Sequence, residues 1–324
     1  MQTLSIEHLL NYFFYIQNSM TPLDSVHIRF DEDKLLLLNI ALAIIMFGVA
    51  LSIRAKDFTS IFNNPKAVAT GVISQFLLLP VLTGILIWIV EPLPSLALGM
   101  ILVAACPGGN VSNFFSFLGK GNVALSVSLT IIASLLAAFV TPYSFMLWSN
   151  LLIDSSLIQS FNVNILSIGK TIFLILVCPL FLGILVAQKL PKITKIIQTP
   201  LKYISFLLLV AIIGVAFGKN INIFAEYYHY VIYLVLLHNG IALLGGYGLS
   251  RLMGLPKADT ISITIETGIQ NSGLGLVIVF SFFDGNGGMA IITAWWGIWH
   301  IISGLIVSQV FAYRQKRFEL IGQS

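Results

Sequence analysis

Charge is what this chain has least of. Lys, Arg, Asp and Glu make up 9% of its 324 residues, against about 25% in soluble domains. So few charges cannot cover a water-facing surface, which excludes a soluble globular domain. Cysteine is almost absent as well. Cys106 and Cys178 both lie inside apolar runs, with no metal-ligand spacing around them. That excludes a disulfide framework and reads both as small apolar fillers. No Lys or Arg precedes Arg29, and the first charged residue is Glu7. A signal peptide, which opens on a positive stretch, is therefore not expected at this end. A metalloprotease-type His-Glu-x-x-His run and a nucleophile motif are also missing. The formal net charge of +4 does not imply nucleic acid, because the basic residues stand between apolar runs.

What is present is long apolar sequence, 57% hydrophobic in total. Runs of about 20 such residues are transmembrane helix candidates, with the lipid bilayer as their partner. Nine are expected, at roughly Leu35–Ile53, Ala67–Val90, Leu96–Leu118, Val123–Trp148, Thr171–Gln188, Leu201–Phe217, Tyr227–Leu252, Ile261–Phe283 and Met289–Tyr313. Residues 4–19 are aromatic but interrupted by Glu7, His8 and Asn11, and read as an interfacial helix within an N-terminal segment 1–34. If they span instead, the count is ten. Residues 35–315 then form one transmembrane domain and 316–324 a tail. Loops are short, so no soluble domain is inserted.

Basic residues gather on one side of this arrangement. Counting alternate loops, 13 of the 17 Lys and Arg fall on one face, and Arg29, Lys34, Lys170 and Lys219 on the other. The positive-inside rule puts the richer face, and with it the C-terminus, in the cytoplasm. Nine spans then leave the N-terminus outside, in a cell (inner) membrane.

Glu266 is the one acidic residue far inside an apolar span. A carboxylate at mid-span costs about 2.5–3.5 kcal/mol on insertion scales, so it is retained for function more often than for packing. It opens the run Glu266-Thr267-Gly268-Ile269-Gln270-Asn271-Ser272-Gly273, where glycines loosen the helix beside side-chain amides and a hydroxyl. An interrupted helix frees backbone carbonyls, and these with a carboxylate suit a hard cation. A second break is expected at Cys106-Pro107-Gly108-Gly109-Asn110-Val111-Ser112-Asn113, because Pro107 lacks an N–H and the glycines add freedom. The helix should restart near Val111. In the next span Ser126 and Thr130 are four apart and share a face.

The two breaks, the second reading from Glu266 to Gly275, fall at corresponding places in a faint internal repeat, about 35–148 and 201–313. Ile44-Ile45-Met46-Phe47-Gly48-Val49-Ala50 is matched by Ala211-Ile212-Ile213-Gly214-Val215-Ala216, and Gln75 in the second span by His238-Asn239 in the seventh. An offset of five spans inverts one half against the other. Paired interrupted helices in inverted halves point to a transporter site. Pro80, Pro142 and Pro179 are expected to kink their helices. His238 and His300 have no second ligand at metal spacing, and Trp295, Trp296 and Trp299 read as span packing or cavity lining.

The motif around Pro107, then Gly121-Asn122-Val123-Ala124-Leu125-Ser126, Leu237-His238-Asn239-Gly240, Glu266 to Gly273 and Trp299-His300-Ile301-Ile302-Ser303-Gly304 resembles the bile acid:sodium symporter family, in order and at matching spacing from about Leu35 to Tyr313. The resemblance implies an all-α polytopic fold with a panel, a core and two broken helices crossing in the core. It implies two sodium ions at the crossing as coupling ions, with no other cofactor. Ser112, Asn113, Ser126, Thr130 and Glu266 would hold the first. Gln75, Glu266, Gln270 and the carbonyls of Thr267 and Ile269 would hold the second. Asn110, Asn271, His300 and Ile301 would face the substrate. Bacterial members commonly carry Thr at the place of Asn110 and often Asn at that of Ile301, so the substrate stays open between a bile acid and a smaller organic acid.

The expected function is sodium-coupled import of an organic anion by alternating access, not an enzymatic activity. A proton-coupled carrier using Glu266 alone and an intramembrane enzyme using Glu266 or His300 are the rivals.

Overall fold

The computed structural model describes residues 27–28, 32–51, 53, 64–153, 161, 164–219 and 221–321. The expected interfacial helix at 4–19 lies outside them. The described residues are helical almost throughout, as an apolar chain in lipid requires, because every backbone N–H and C=O must be paired within the fold.

The helices, in chain order, are α1 (Glu32–Ala50), α2 (Pro65–Val90), α3 (Pro94–Ala105), α4 (Val111–Leu118), α5 (Val123–Leu152), α6 (Ile165–Lys189), α7 (Pro191–Lys219), α8 (Ile221–Leu252), α9 (Lys257–Gly268), α10 (Ser272–Phe282) and α11 (Gly287–Ile321). By length and apolar composition, five described stretches can cross a membrane: Pro65–Val90, Val123–Leu152, Ile165–Lys189, Val231–Leu252 and Gly287–Lys316. The 26 residues of α2 reach about 39 Å at 1.5 Å per residue, beyond the roughly 30 Å of a bilayer's hydrocarbon. Leu35–Ala50, Pro94–Ala105 and Ser272–Phe282 are shorter and apolar.

Prolines shape the long helices in two ways. Pro80 and Pro179 each follow a turn of wider π geometry, Ser74–Leu78 and Phe173–Val177. A proline cannot donate to the carbonyl four residues back and clashes with it, and the widened turn just before it absorbs the misfit. Pro142 sits inside α5 without such a turn. It leaves the Ala138 carbonyl without its helical donor, and Gly169 of α6 packs there so closely that a Cβ would lie 2.6 Å from that oxygen.

α3 is buried on every side from Ser95 to Ala105, and so is α10 from Ser272 to Val279. Both are apolar all round, as central helices must be. α11 packs along α3, α10, α8 and the short α4. α9 lies against α8, α4 and α5. On one flank α1 packs on α6 and α7. The outer faces carry large apolar side chains such as Leu77, Trp88, Phe139, Phe181 and Leu244.

The ends of the helices are tied at two places. His27 and Asn286 pair as an antiparallel bridge, with the Ile28 N–H donating to the Gly285 carbonyl at 2.7 Å. At the other, the starts of α2, α5 and α9 meet around Asp259. These three starts lie beside Lys66, Lys120 and Lys257, three of the basic residues expected on one face.

Candidate functional site: a buried carboxylate at the crossing of two interrupted helices

Both breaks form. The first helix stops at Ala105 and restarts at Val111. The second stops at Gly268 and restarts at Ser272, so the break is confined to Ile269–Asn271. That is narrower than the stretch from Glu266 to Gly275 read from sequence. Glu266 itself stays in the last turn of α9. The physical reason is capping at both ends: Asn271 Oδ1 accepts from the Leu274 N–H at 3.0 Å, and Asn239 of α8 donates its amide to the Gly268 carbonyl at 2.7 Å.

The breaks cross and pair with each other. Gly109 N–H donates to the Ile269 carbonyl at 2.7 Å and Asn271 N–H to the Pro107 carbonyl at 2.9 Å. Each break thus satisfies backbone groups that the other exposes. Gly108 needs to be glycine for contact rather than for dihedral reasons. A Cβ there would sit 2.7 Å from Glu266 Oε1 and closer still to Gln75 Nε2.

Glu266 is 1% exposed. Three hydroxyls from two other helices converge on it. Ser112 of α4 donates to Oε2 at 2.5 Å, Ser126 of α5 to Oε2 at 3.0 Å, and Thr130 of α5 to Oε1 at 2.8 Å. Ser126 in turn accepts from Ser116 at 3.1 Å. Thr130 has a single proton but three acceptors in reach, the others being Asn113 Oδ1 at 3.3 Å and the Ser126 carbonyl at 3.0 Å. The expected shared face of Ser126 and Thr130 is therefore the face turned to the carboxylate.

A second group of oxygens lies behind the first. The π turn of α2 sets Ser74 against Thr267, their hydroxyls 2.8 Å apart, and Gln75 Nε2 against the Glu266 carbonyl at 3.4 Å. Gln270 donates its Nε2 to the Thr267 carbonyl at 2.9 Å. Both glutamines spend their N–H on backbone, and the side-chain oxygens Gln75 Oε1 and Gln270 Oε1 are buried without a protein partner. Buried polar atoms left this way call for an explanation, and a role as cation ligands is one. The donor set is all oxygen, which suits a hard cation. Among the described residues no group of three His, Cys, Asp or Glu suits a transition metal.

On the other side of the crossing lies a cavity of about 60 Å³. Leu42, Ile45 and Met46 of α1 and Ile175 and Leu176 of α6 form its apolar wall; Asn110, Asn271, Ser272 and His300 form the polar one. Asn110 Nδ2 donates to Met46 Sδ at 3.1 Å, while Asn110 Oδ1 and His300 Nδ1 are buried without partners. No Lys or Arg is among the described lining residues. Ile301 does not line the cavity; it packs on Phe115, Ile261, Ile265 and Ile269. Adjacent helix residues point about 100° apart, which turns Ile301 away from the side of α11 that carries His300.

Sequence reasoning did not single out Ser74, Ser116, Thr267 Oγ1, Gly108 as a close-approach glycine, or Asp259. Asn239 enters the sequence reading as a repeat landmark and part of a family motif, without its role at the Gly268 carbonyl.

The architecture is that of a helical membrane protein with a polar site where two interrupted helices cross. A family model for the sodium bile acid symporter family matches residues 39–227. The chain is 32% identical over 280 residues to the uncharacterized sodium-dependent transporter YocS of Bacillus subtilis (strain 168), covering 86% of this chain and 84% of that one. It is 30% identical over 245 residues to the ileal sodium/bile acid cotransporter of Homo sapiens, covering 75% and 68%. With the probable chloroplastic sodium/metabolite cotransporter BASS1 of Arabidopsis thaliana it shares 29% identity over 273 residues, 84% of this chain and 66% of that one. The chain belongs to the sodium bile acid symporter family, a family of sodium-dependent membrane transporters.

Proposed function

We propose that the protein is a sodium-coupled symporter that imports an organic anion by alternating access. The observation that carries this reading is the pair of partnerless buried oxygens, Gln75 Oε1 and Gln270 Oε1, beside a buried carboxylate that draws three hydroxyls. A carrier that took only a proton at Glu266 would leave both amide oxygens without a purpose. Two sodium ions as co-substrates would use them. Ser112, Asn113, Ser126, Thr130 and Glu266 would contribute to one, and Gln75, Gln270, Glu266 and the carbonyls of Thr267 and Ile269 to the other. Those two carbonyls already accept a hydrogen bond each, from Gln270 Nε2 and the Gly109 N–H, and each keeps a second lone pair.

The anion would lie in the cavity against Asn110, Asn271 and His300. With no basic side chain in the lining, its charge would be met by the starts of α4 and α10 and by the ions behind them. One carboxylate, one anion and two sodium ions sum to zero. The cavity is small against the roughly 300–1,000 Å³ of sites that enclose drug-sized ligands, which favours a small organic acid over a steroid in this conformation.

α1, α6 and α7 would form the panel and the remaining helices the core, with the cavity between them. Movement of the core against the panel would open it to one side and then the other. Nine spans, the cytoplasmic C-terminus and residence in the cell (inner) membrane complete the reading, from the charge bias.

Purified protein in liposomes tests it. A panel of small organic anions and taurocholate is offered with external sodium or with choline in its place. Uptake of at least one anion that requires sodium supports the reading. Uptake that persists in choline and follows a proton gradient would overturn it.

A further inference from the structure

Outside the crossing, the described residues contain a second buried carboxylate. Asp259 is 4% exposed, in the first turn of α9. Its Oδ2 accepts from Asn64 Nδ2 at 2.7 Å and its Oδ1 from Asn122 Nδ2 at 2.7 Å. Each asparagine is also a helix cap. Asn64 Oδ1 accepts from the Ala67 N–H at 3.4 Å at the start of α2, and Asn122 Oδ1 from the Leu125 N–H at 3.1 Å at the start of α5. Each amide therefore points its oxygen into its own helix and its nitrogen at the same carboxylate. Two further bonds lock α5 to α9: Asn122 N–H to the Ala258 carbonyl at 3.0 Å, and Ser262 Oγ to the Asn122 carbonyl at 2.9 Å.

The three helices joined here carry Glu266 and much of its polar surround, with Ser112 of α4 outside the joint. α2 brings Gln75, α5 brings Ser126 and Thr130, and α9 brings Glu266. Asp259 lies seven residues before Glu266, about 10.5 Å along the axis, and Asn122 lies four residues before Ser126, about 6 Å. A slip of one residue between α5 and α9 is about 1.5 Å, enough to break contacts of 2.8–3.0 Å. We propose that Asp259 is a positioning residue for the coupling ion: by accepting both capping amides it fixes the axial register of α2 and α5 against α9. The proposal rests on the reading of the Glu266 site as a sodium site.

The chemistry dictates a variant and its repair. A carboxylate accepts from two amides at once, whereas Asp259→Asn accepts from one and turns an NH2 group on the other. Adding Asn122→Asp reverses that second contact. The new amide then donates to residue 122, whose other oxygen still caps the Leu125 N–H, and Asn64 keeps its acceptor. Every donor again has a partner.

Sodium-driven anion uptake by full-length protein in liposomes is measured for wild type, D259N, N122D/D259N and E266Q, together with melting temperature in choline. For D259N the sodium concentration at half-maximal uptake should rise about tenfold, the scale seen when outer partners of ion ligands are removed. Its maximal rate at saturating sodium should change less than about twofold. The double variant should return to within about twofold of wild type. If D259N does not fold, N64A and N122A are compared instead, each of which should raise the half-maximal sodium. Wild-type sodium dependence in D259N, or in both alanine variants, overturns the proposal, as does a double variant no better than D259N. Loss of coupled uptake in E266Q alongside an unaffected D259N would overturn the positioning role alone. Sodium-driven uptake by E266Q would instead overturn the sodium-site reading beneath it.

Discussion

The N–H of Gly109 donates to the carbonyl of Ile269 at 2.7 Å, so the break in one helix is closed by the break in the other. Neither interruption is complete alone. The crossing also brings the backbone of Gly108 against Gln75 and Glu266, with no room for a methyl group. Gly108→Ala must displace the Gln75 amide and the Glu266 carboxylate, at the roughly 1–3 kcal/mol typical of overpacking. The expected result is a lowered melting temperature and a half-maximal sodium concentration raised about tenfold or more. A sodium titration of the melting temperature checks this; an unshifted titration would show that the close approach is incidental.

How much of this was legible in the sequence depends on distance along the chain. Helices follow from apolar runs, since lipid offers backbone groups no other partner, and the run from Ala67 to Val90 became α2 within two residues. The break at Pro107–Gly109 follows from the residues themselves. The second break was read too wide because its limits are set by Asn239, from another helix, and by the Asn271 cap. Asp259 was not legible at all. At the edge of an apolar run it reads as loop, and its partners are 195 and 137 residues away. The family resemblance puts Ile301 near the substrate, while in the structure it packs in an apolar cluster with Phe115 and Ile269.

Gln75 and Thr130 contribute oxygens to different halves of the polar site. Gln75→Ala removes a partnerless acceptor, and Thr130→Ala removes one of three hydroxyls at Glu266. Each variant should stay folded and show weaker sodium dependence of uptake, by about tenfold. Their effects should be non-additive, because the two proposed ion sites share Glu266 and groups that share a partner couple. Wild-type sodium affinity in both variants would refute the two-site assignment.

The proposed topology puts Asp284 outside the cell and Lys192 inside. Both side chains are exposed, Asp284 in the α10–α11 turn and Lys192 at the start of α7. In a background with Cys106 and Cys178 replaced, Asp284→Cys should react with a membrane-impermeant maleimide added to intact cells. Lys192→Cys should react only after the membrane is opened. The reverse pattern would invert the orientation and make the C-terminus external.

Among the described residues Glu266 is the only acidic one that meets the crossing, and it is buried with three hydroxyl donors turned toward it. Two sodium ions would bring two positive charges to it, and a monovalent anion would supply the second negative one. Glu266→Gln keeps the size and one acceptor oxygen but removes the charge. It should abolish sodium-coupled uptake while leaving expression and melting temperature in choline close to wild type, because a neutral amide costs less to bury than a carboxylate. The same stoichiometry moves one net positive charge inward per cycle. An inside-negative potential of about 100 mV then adds about 2.3 kcal/mol of driving force. Proteoliposomes clamped with potassium and valinomycin at fixed sodium measure it directly: uptake of a monovalent anion should rise as the interior is made negative. Uptake indifferent to the potential would mean one sodium ion per anion, and the oxygens of Gln75 and Gln270 would then need another occupant.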